Sequence, residues 1–340
     1  MKNLIKFGMV SALAVGLGSA ALAQEKTLDA VKQRGVLNCA VNIGLAGFSN
    51  PDDKGNWTGL DVDYCKAIAA AVLGDPNKVK YIPTTAKERF TALQSGEADV
   101  LIRNTTWSMA RDSSLGLSFA GVNFYDGQGF MVKKSLGVSS AKELNGATVC
   151  VQTGTTTELN LADFFRKNKM EYQPVVFEKA EECLQAYEAG RCDAYTTDAS
   201  GLYAQRLQMR TPDEHIVLPE IISKEPLGPS VRQGDSQWFT VVKWVHFALL
   251  NAEELGVTQA NVEEMKSSSN PDIRRLVGVE GDFGQAIGLD NDWAVRAIKA
   301  VGNYGEIYDR NVGKGSRINI DRGLNALWTE GGLQYAPPIR

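Results

Sequence analysis

The sequence predicts an α/β protein made of two similar parallel-sheet units. Three observations carry that prediction. A short pattern occurs twice, as Leu93-Gln94-Ser95-Gly96-Glu97-Ala98-Asp99-Val100 and as Ala186-Tyr187-Glu188-Ala189-Gly190-Arg191-Cys192-Asp193-Ala194. Each copy reads as a helix end, a glycine stop and an aspartate opening a strand. A polar run follows each copy, Arg103-Asn104-Thr105-Thr106 and Thr196-Thr197-Asp198, with Asn104 and Asp198 each five residues beyond the repeated aspartate. Strand and helix patterns alternate around both copies, the signature of right-handed βαβ crossovers. Two such units each put a polar side chain at the C-terminal end of an equivalent strand, where open α/β sheets collect ligands. The plain alternative is a common α/β turn repeated by chance.

The elements follow in order. Val36–Val41 reads as a short apolar strand carrying Cys39, and Asn42–Trp57 as a loop rich in Gly, Asn and Asp. Asp61–Val72 is a helix with an alanine-rich face, stopped by Gly74. Val79–Ile82 is a strand, Lys87–Ser95 a helix and Val100–Ile102 a strand. The pattern then restarts. Ala147–Val151, Val175–Phe177 and Ala194–Thr196 are strands, separated by helices at Thr157–Asn168 and Ala180–Ala189. Two Gly- or Pro-rich stretches, Asn123–Gly129 and Lys224–Pro229, bracket this second unit. The chain therefore leaves the first lobe, builds the second and returns, with Gln237–Leu255 as a helix back on the first lobe. Asn261–Asn291 is polar and Gly-rich and reads as a surface excursion, and the tail through Arg340, with Trp328 and Tyr335, as packed chain. The expected organisation is a signal over 1–23, lobe 1 over 24–125 and 226–340, and lobe 2 over 126–225.

Residues 1–23 have the form of an export signal. Lys2 and Lys6 precede an apolar run, and Ala21-Leu22-Ala23 is a cleavage site before Gln24. No cysteine stands at the cut to carry a lipid, and the expected location is periplasmic. Without Lys2 and Lys6 the chain has 34 basic against 40 acidic residues, which argues against nucleic acid as a partner. Five cysteines in an exported chain suggest disulfides with one thiol left over. There is no CxxC, and His215 and His246 are far apart, so neither a metal nor a cofactor is expected. The absence of GxSxG argues against a serine triad. Ser139-x-x-Lys142 is a weak nucleophile pattern, and Ser140-Ala141-Lys142-Glu143 reads better as a capping box.

Several motifs in the same order carry a resemblance. Gly59-Leu60-Asp61-Val62-Asp63 before a helix, the segment Thr85–Phe90, and Val151-Gln152-Thr153-Gly154-Thr155-Thr156-Thr157-Glu158 resemble family 3 periplasmic solute-binding proteins, the polar amino-acid receptors of ABC importers. Arg103–Trp107, Asp126–Phe130, Glu225–Gly228 and the end Gly332–Arg340 look like the general L-amino-acid-binding subgroup. The resemblance covers roughly 26–254 and 304–308. It implies a periplasmic binding protein of type II, with two Rossmann-like lobes joined by a two-crossing hinge. It further implies a monomer that binds L-amino acids with broad specificity in the cleft and delivers them to an inner-membrane ABC permease.

The resemblance also implies site roles. Arg111 would hold the ligand carboxylate with its planar fork, where a surface pair with Asp112 is the bland reading. Thr155 and Thr156 would hold that carboxylate from the second lobe; a threonine N-cap is the alternative. Asp198 would pair with the ammonium, unless it only caps the next helix. Asn104 and Thr106, two apart on an extended segment, face one side and suit either group. Phe48 resembles a pocket aromatic, with core packing as its alternative. Leu45 and Ala86 suggest an uncrowded side-chain pocket. The family's sheet order makes the strands of Cys150 and Cys192 neighbours. The expected pairs are Cys39–Cys65 and Cys150–Cys192, with Cys183 free. The competing functions are an enzyme on this fold, a dehydratase or murein-cleaving relative with Glu158 as the nearest acid, and the sensor part of a receptor.

Overall fold

The computed structural model describes residues 26–340; residues 1–23, expected from the sequence to be an export signal, lie outside the described residues. The strands in chain order are β1 (Leu37–Asn42), β2 (Asn50–Pro51), β3 (Trp57–Thr58), β4 (Val79–Thr84), β5 (Val100–Leu101), β6 (Leu117–Phe119) and β7 (Phe124–Asp126). They continue as β8 (Gln128–Lys133), β9 (Ala147–Gln152), β10 (Tyr172–Phe177), β11 (Ala194–Asp198), β12 (His215–Val217), β13 (Glu225–Leu227) and β14 (Ser230–Arg232). Two five-stranded sheets result, ordered β4-β1-β5-β14-β6 and β10-β9-β11-β8-β12. In each sheet the first three strands of a βαβαβ unit run parallel in the order 2-1-3, and the remaining two pairings are antiparallel.

The repeated aspartate does the same work in both sheets. Asp99 accepts the Asn38 amide at 2.7 Å, and its own amide donates to the Asn38 carbonyl at 2.9 Å. Asp193 does this with Thr148, at 2.8 and 2.9 Å. Each aspartate thus ties the start of strand 3 to strand 1 of its unit. Trp238 donates from Nε1 to the Asp99 carbonyl at 2.9 Å, anchoring the helix Ser236–Glu254 on lobe 1.

The alanine face of the helix Leu60–Leu73 lets the helix Trp293–Val301 lie close against it. Arg296 then donates to the carbonyls of Ala70 and Ala71 at 3.2 and 2.8 Å, satisfying the last turn of that helix. The segment 261–291 differs from the surface excursion expected. Val262, Ile273, Leu276, Val277 and Leu289 are buried in the main core, so the stretch is pinned by apolar residues set among its polar ones. The tail packs through buried Leu327, Gln334 and Ala336, while Trp328 and Tyr335 pair edge to face at 5.4 Å on the outside.

Cys39 and Cys65 are bonded with Cα atoms 6.2 Å apart, and Cys150 and Cys192 with Cα atoms 5.6 Å apart. Cys183 is a buried free thiol, pushed up to about 12 by burial. No described helix is long and apolar enough to cross a membrane.

Two crossings join the sheets. β7 and β13 pair antiparallel, with Glu225 opposite Asp126 and Pro226 opposite Tyr125. Gly228 permits this crossing: a Cβ there would lie 2.0 Å from the Gly121 carbonyl oxygen.

Candidate binding site between the lobes

The polar ends of both parallel units meet at the crossings. From the first unit, β5 stops at Leu101 and the chain turns. Asn104 has φ +32°, so it and Thr106 do not share the extended segment expected of them. The Asn104 amide donates to Asp61 at 2.8 Å, and its side-chain oxygen accepts from Asn42 at 3.0 Å. Asn104 is therefore held by lobe 1 itself. Thr106 instead lies beside the crossing, because Trp107 donates to the Pro226 carbonyl at 2.7 Å and Gly228 to the Thr105 carbonyl at 3.1 Å.

Arg111 stands in the short helix Met109–Ser113, capped by Ser108. It is buried, donates to the Thr106 carbonyl at 2.7 Å, and lies 5.1 Å over the Phe90 ring. Arg89 stacks on the same ring at 4.7 Å and donates to Thr105 at 3.3 Å. Its Nε is buried without a partner. Arg89 lies inside the Thr85–Phe90 motif, whose sequence gives it no role of its own. An arginine in an amphipathic helix gives no local sign of its burial.

From the second unit comes the turn after β9. Gly154 adopts φ +75°, and a Cβ there would approach Lys87 Cγ of lobe 1 at 2.8 Å. Thr155 is the N-cap of the helix Thr156–Lys167, accepting from Glu158 at 3.1 Å and donating to the Gln152 carbonyl at 2.6 Å. Its hydroxyl is thus used inside lobe 2. Glu158 accepts from the Gly154 amide at 2.9 Å, which makes it a loop brace. Thr156 reaches across the cleft, with its Oγ1 3.3 Å from that of Thr106.

Asp198 ends β11 and begins the helix Ala199–Arg206, yet its side chain caps nothing. Asp126 does the capping, accepting from the Ser200 amide at 3.4 Å and from the Ser200 hydroxyl. Asp198 is left buried and faces the cleft. Burial pushes it well above the usual carboxylate range; Asp126 and Glu225 push the same way, and Arg89 and Arg111 oppose them. Asp126 is pushed up to about 6, chiefly by burial. Among the described residues no ion pair joins Arg89 or Arg111 to Asp198 or Glu225. Two buried cations and two buried anions therefore lie within electrostatic reach of one another with no ion pair between them.

Phe48 lies elsewhere. It is fully buried in the lobe 1 core, edge to face with Phe124 at 5.2 Å. Glu225, quoted in the sequence only as part of a motif, sits at the centre of the site and is fully buried. Among the described residues, no cluster of His, Cys, Asp and Glu could hold a metal ion.

The family model for bacterial extracellular solute-binding proteins, family 3, matches residues 37–314. The chain belongs to that family. It is 62% identical, over the full length of both chains, to the general L-amino acid-binding periplasmic protein AapJ of Rhizobium johnstonii. It is 59% identical, again over both full lengths, to the glutamate/glutamine/aspartate/asparagine-binding protein BztA of Rhodobacter capsulatus. A solved structure of an ABC transporter periplasmic binding protein from Brucella ovis, with glutathione bound, is 64% identical. It superposes with a TM-score of 0.91 over 93% of this chain and 99% of that one.

Proposed function

We propose that this chain is the periplasmic substrate-binding component of an ABC importer for L-amino acids of several kinds, and not an enzyme. One observation carries the reading. Arg111 and Asp198 come from opposite units and stand buried and unpaired with each other at the same crossing. A zwitterion supplies the two missing partners, its carboxylate to Arg111 and its ammonium to Asp198. The backbone amide of Thr156, at a helix start, adds a donor for the carboxylate. The lobes are 24–125 with 226–340, and 126–225. The protein is exported with cleavage after Ala23, works as a monomer, and passes its ligand to an inner-membrane permease. A thermal-shift screen of the twenty L-amino acids tests this: a bound ligand at 100-fold its Kd adds about 2.7 kcal/mol of stability. Several L-amino acids should raise the melting temperature and their D-forms should not. No shift with any of them contradicts the reading.

Arg89 is a second cation for ligands with acidic or amide side chains, consistent with its unpartnered Nε. Arg89→Gln should lose roughly tenfold more affinity for glutamate and aspartate than for leucine, by titration calorimetry. An equal loss for all three ligands would place Arg89 in scaffold work only.

Binding should release protons. Burial raises Asp198 in the free protein, so it holds its proton to a higher pH than an exposed carboxylate does. The ligand's ammonium favours the carboxylate form and expels that proton. Affinity should therefore fall as pH drops below the raised pKa. Binding heats in two buffers of different ionisation enthalpy count the protons. Equal heats at acidic pH would contradict this.

A further inference from the structure

We infer that Glu225 is a positioning residue that sets which way the cleft hydroxyls point, so that Thr106 and Thr156 offer lone pairs to the ligand's ammonium and no protons to its carboxylate. The inference rests on the reading that an L-amino acid lies between the lobes. Glu225 is on β13, at the return crossing, and so belongs to neither sheet's ligand-facing end. Its Oε2 accepts from Thr106 Oγ1 at 2.5 Å and from Thr156 Oγ1 at 2.7 Å. Its Oε1 accepts from Asn160 Nδ2 and Ser223 Oγ, both at 2.7 Å.

A carboxylate only accepts, and a hydroxyl has one proton to give. Both threonine protons are therefore directed at the same carboxylate oxygen. What remains on each hydroxyl is acceptor capacity. Thr106 comes from the first unit and Thr156 from the second, so one side chain on the hinge orients donors from both lobes. A ligand carboxylate must then be read by Arg111 and by backbone amides, while the ammonium gains two oxygen acceptors in addition to the Asp198 carboxylate. This removes the hydroxyl of Thr156 from the carboxylate role and leaves its amide there.

Glutamine at 225 keeps the shape but turns one face of the side chain into a donor. One threonine proton is then pushed toward the ligand. The test is titration calorimetry of the full mature chain and of Glu225→Gln with L-glutamate, and with glutarate, which has the same skeleton without the amino group, read by competition. Glu225→Gln is expected to weaken L-glutamate by about tenfold or more, with glutarate unchanged or tighter. Glu225→Asp, which keeps the charge, should recover part of the loss. Thr156→Val, which removes one acceptor and one of the four donors to Glu225 while leaving the carboxylate in place, should give the same selective loss and covers the case that Glu225→Gln does not fold. Equal losses for both ligands, or unchanged binding of L-glutamate by either variant, would overturn the inference while leaving the ligand reading in place. If the wild-type chain binds L-glutamate and no other L-amino acid, the breadth of the proposed function fails but the Glu225 comparison stands. If it binds no L-amino acid at all, both fail.

Discussion

Arg111→Lys and Asp198→Asn should each weaken binding of every L-amino acid by roughly 30-fold or more. Both side chains are buried, and each meets one fixed charge of the ligand in the proposed site. Removing one partner leaves the other charge buried and uncompensated, at about 2–5 kcal/mol. Lysine keeps the charge at 111, but it loses the planar fork and the stack on Phe90. Asparagine at 198 keeps the shape and loses the charge. The losses should be alike for acidic, amide and aliphatic ligands, because both residues read groups common to all. Stability separates this from a scaffold role. Asp198 is already held uncomfortably by burial, so Asp198→Asn should leave the melting temperature of the ligand-free protein unchanged or raise it. Calorimetry with three chemically different amino acids, together with a melting curve, checks both halves. Near-native affinity, or loss for one ligand only, would contradict the assignment.

Phe48→Ala should behave in the opposite way. The ring is fully buried among lobe 1 apolar residues and packs against Phe124, which in turn stacks on Tyr308 at 5.8 Å. Truncating a core phenylalanine costs about 3–5 kcal/mol through lost transfer energy and a residual cavity. Denaturant unfolding should show that loss. The order of preference among ligands should stay as in the wild type, since the ring packs in the lobe 1 core. A changed ligand order with native stability would mean that Phe48 lines the pocket.

Residues whose roles are local were legible before any coordinates. Asp99 and Asp193 follow their glycines at a fixed spacing and read as strand openers; that each also pins strand 3 to strand 1, across 61 and 45 positions, is seen only in the fold. Ser140 was legible too, and caps its turn from the expected place by accepting from the Lys142 amide at 3.2 Å. Its Glu143, however, reaches Ser139 and not Ser140, so the cap is simpler than a reciprocal box.

Roles that depend on the crossings were not legible. Glu225 lies 119 positions from Thr106 and 69 from Thr156, and it is the return crossing β13, bridged to Thr106 at Leu227 and paired with β7, that brings them together. Arg89 looks like a solvated helix residue until the neighbouring strands bury it. Thr155 and Thr156 cannot be told apart in a run of three threonines, because which one caps depends on where the helix begins. Apolar residues in an irregular stretch fail in the same way: Phe48 reads equally as pocket or core, and Ile273 and Leu276 lie among polar neighbours yet close the main core.

The central claim is that one α-amino acid, read by its own carboxylate and ammonium, bridges the two units. Titration of the mature protein with L-glutamate and with D-glutamate tests it most directly, because the enantiomers differ only in where those two groups point relative to the side chain. The account predicts saturable binding of the L-form at one site per chain and at least about 100-fold weaker binding of the D-form, a difference of roughly 2.7 kcal/mol. Equal affinity for the two forms, or no binding of either glutamate or any other L-amino acid, would contradict it.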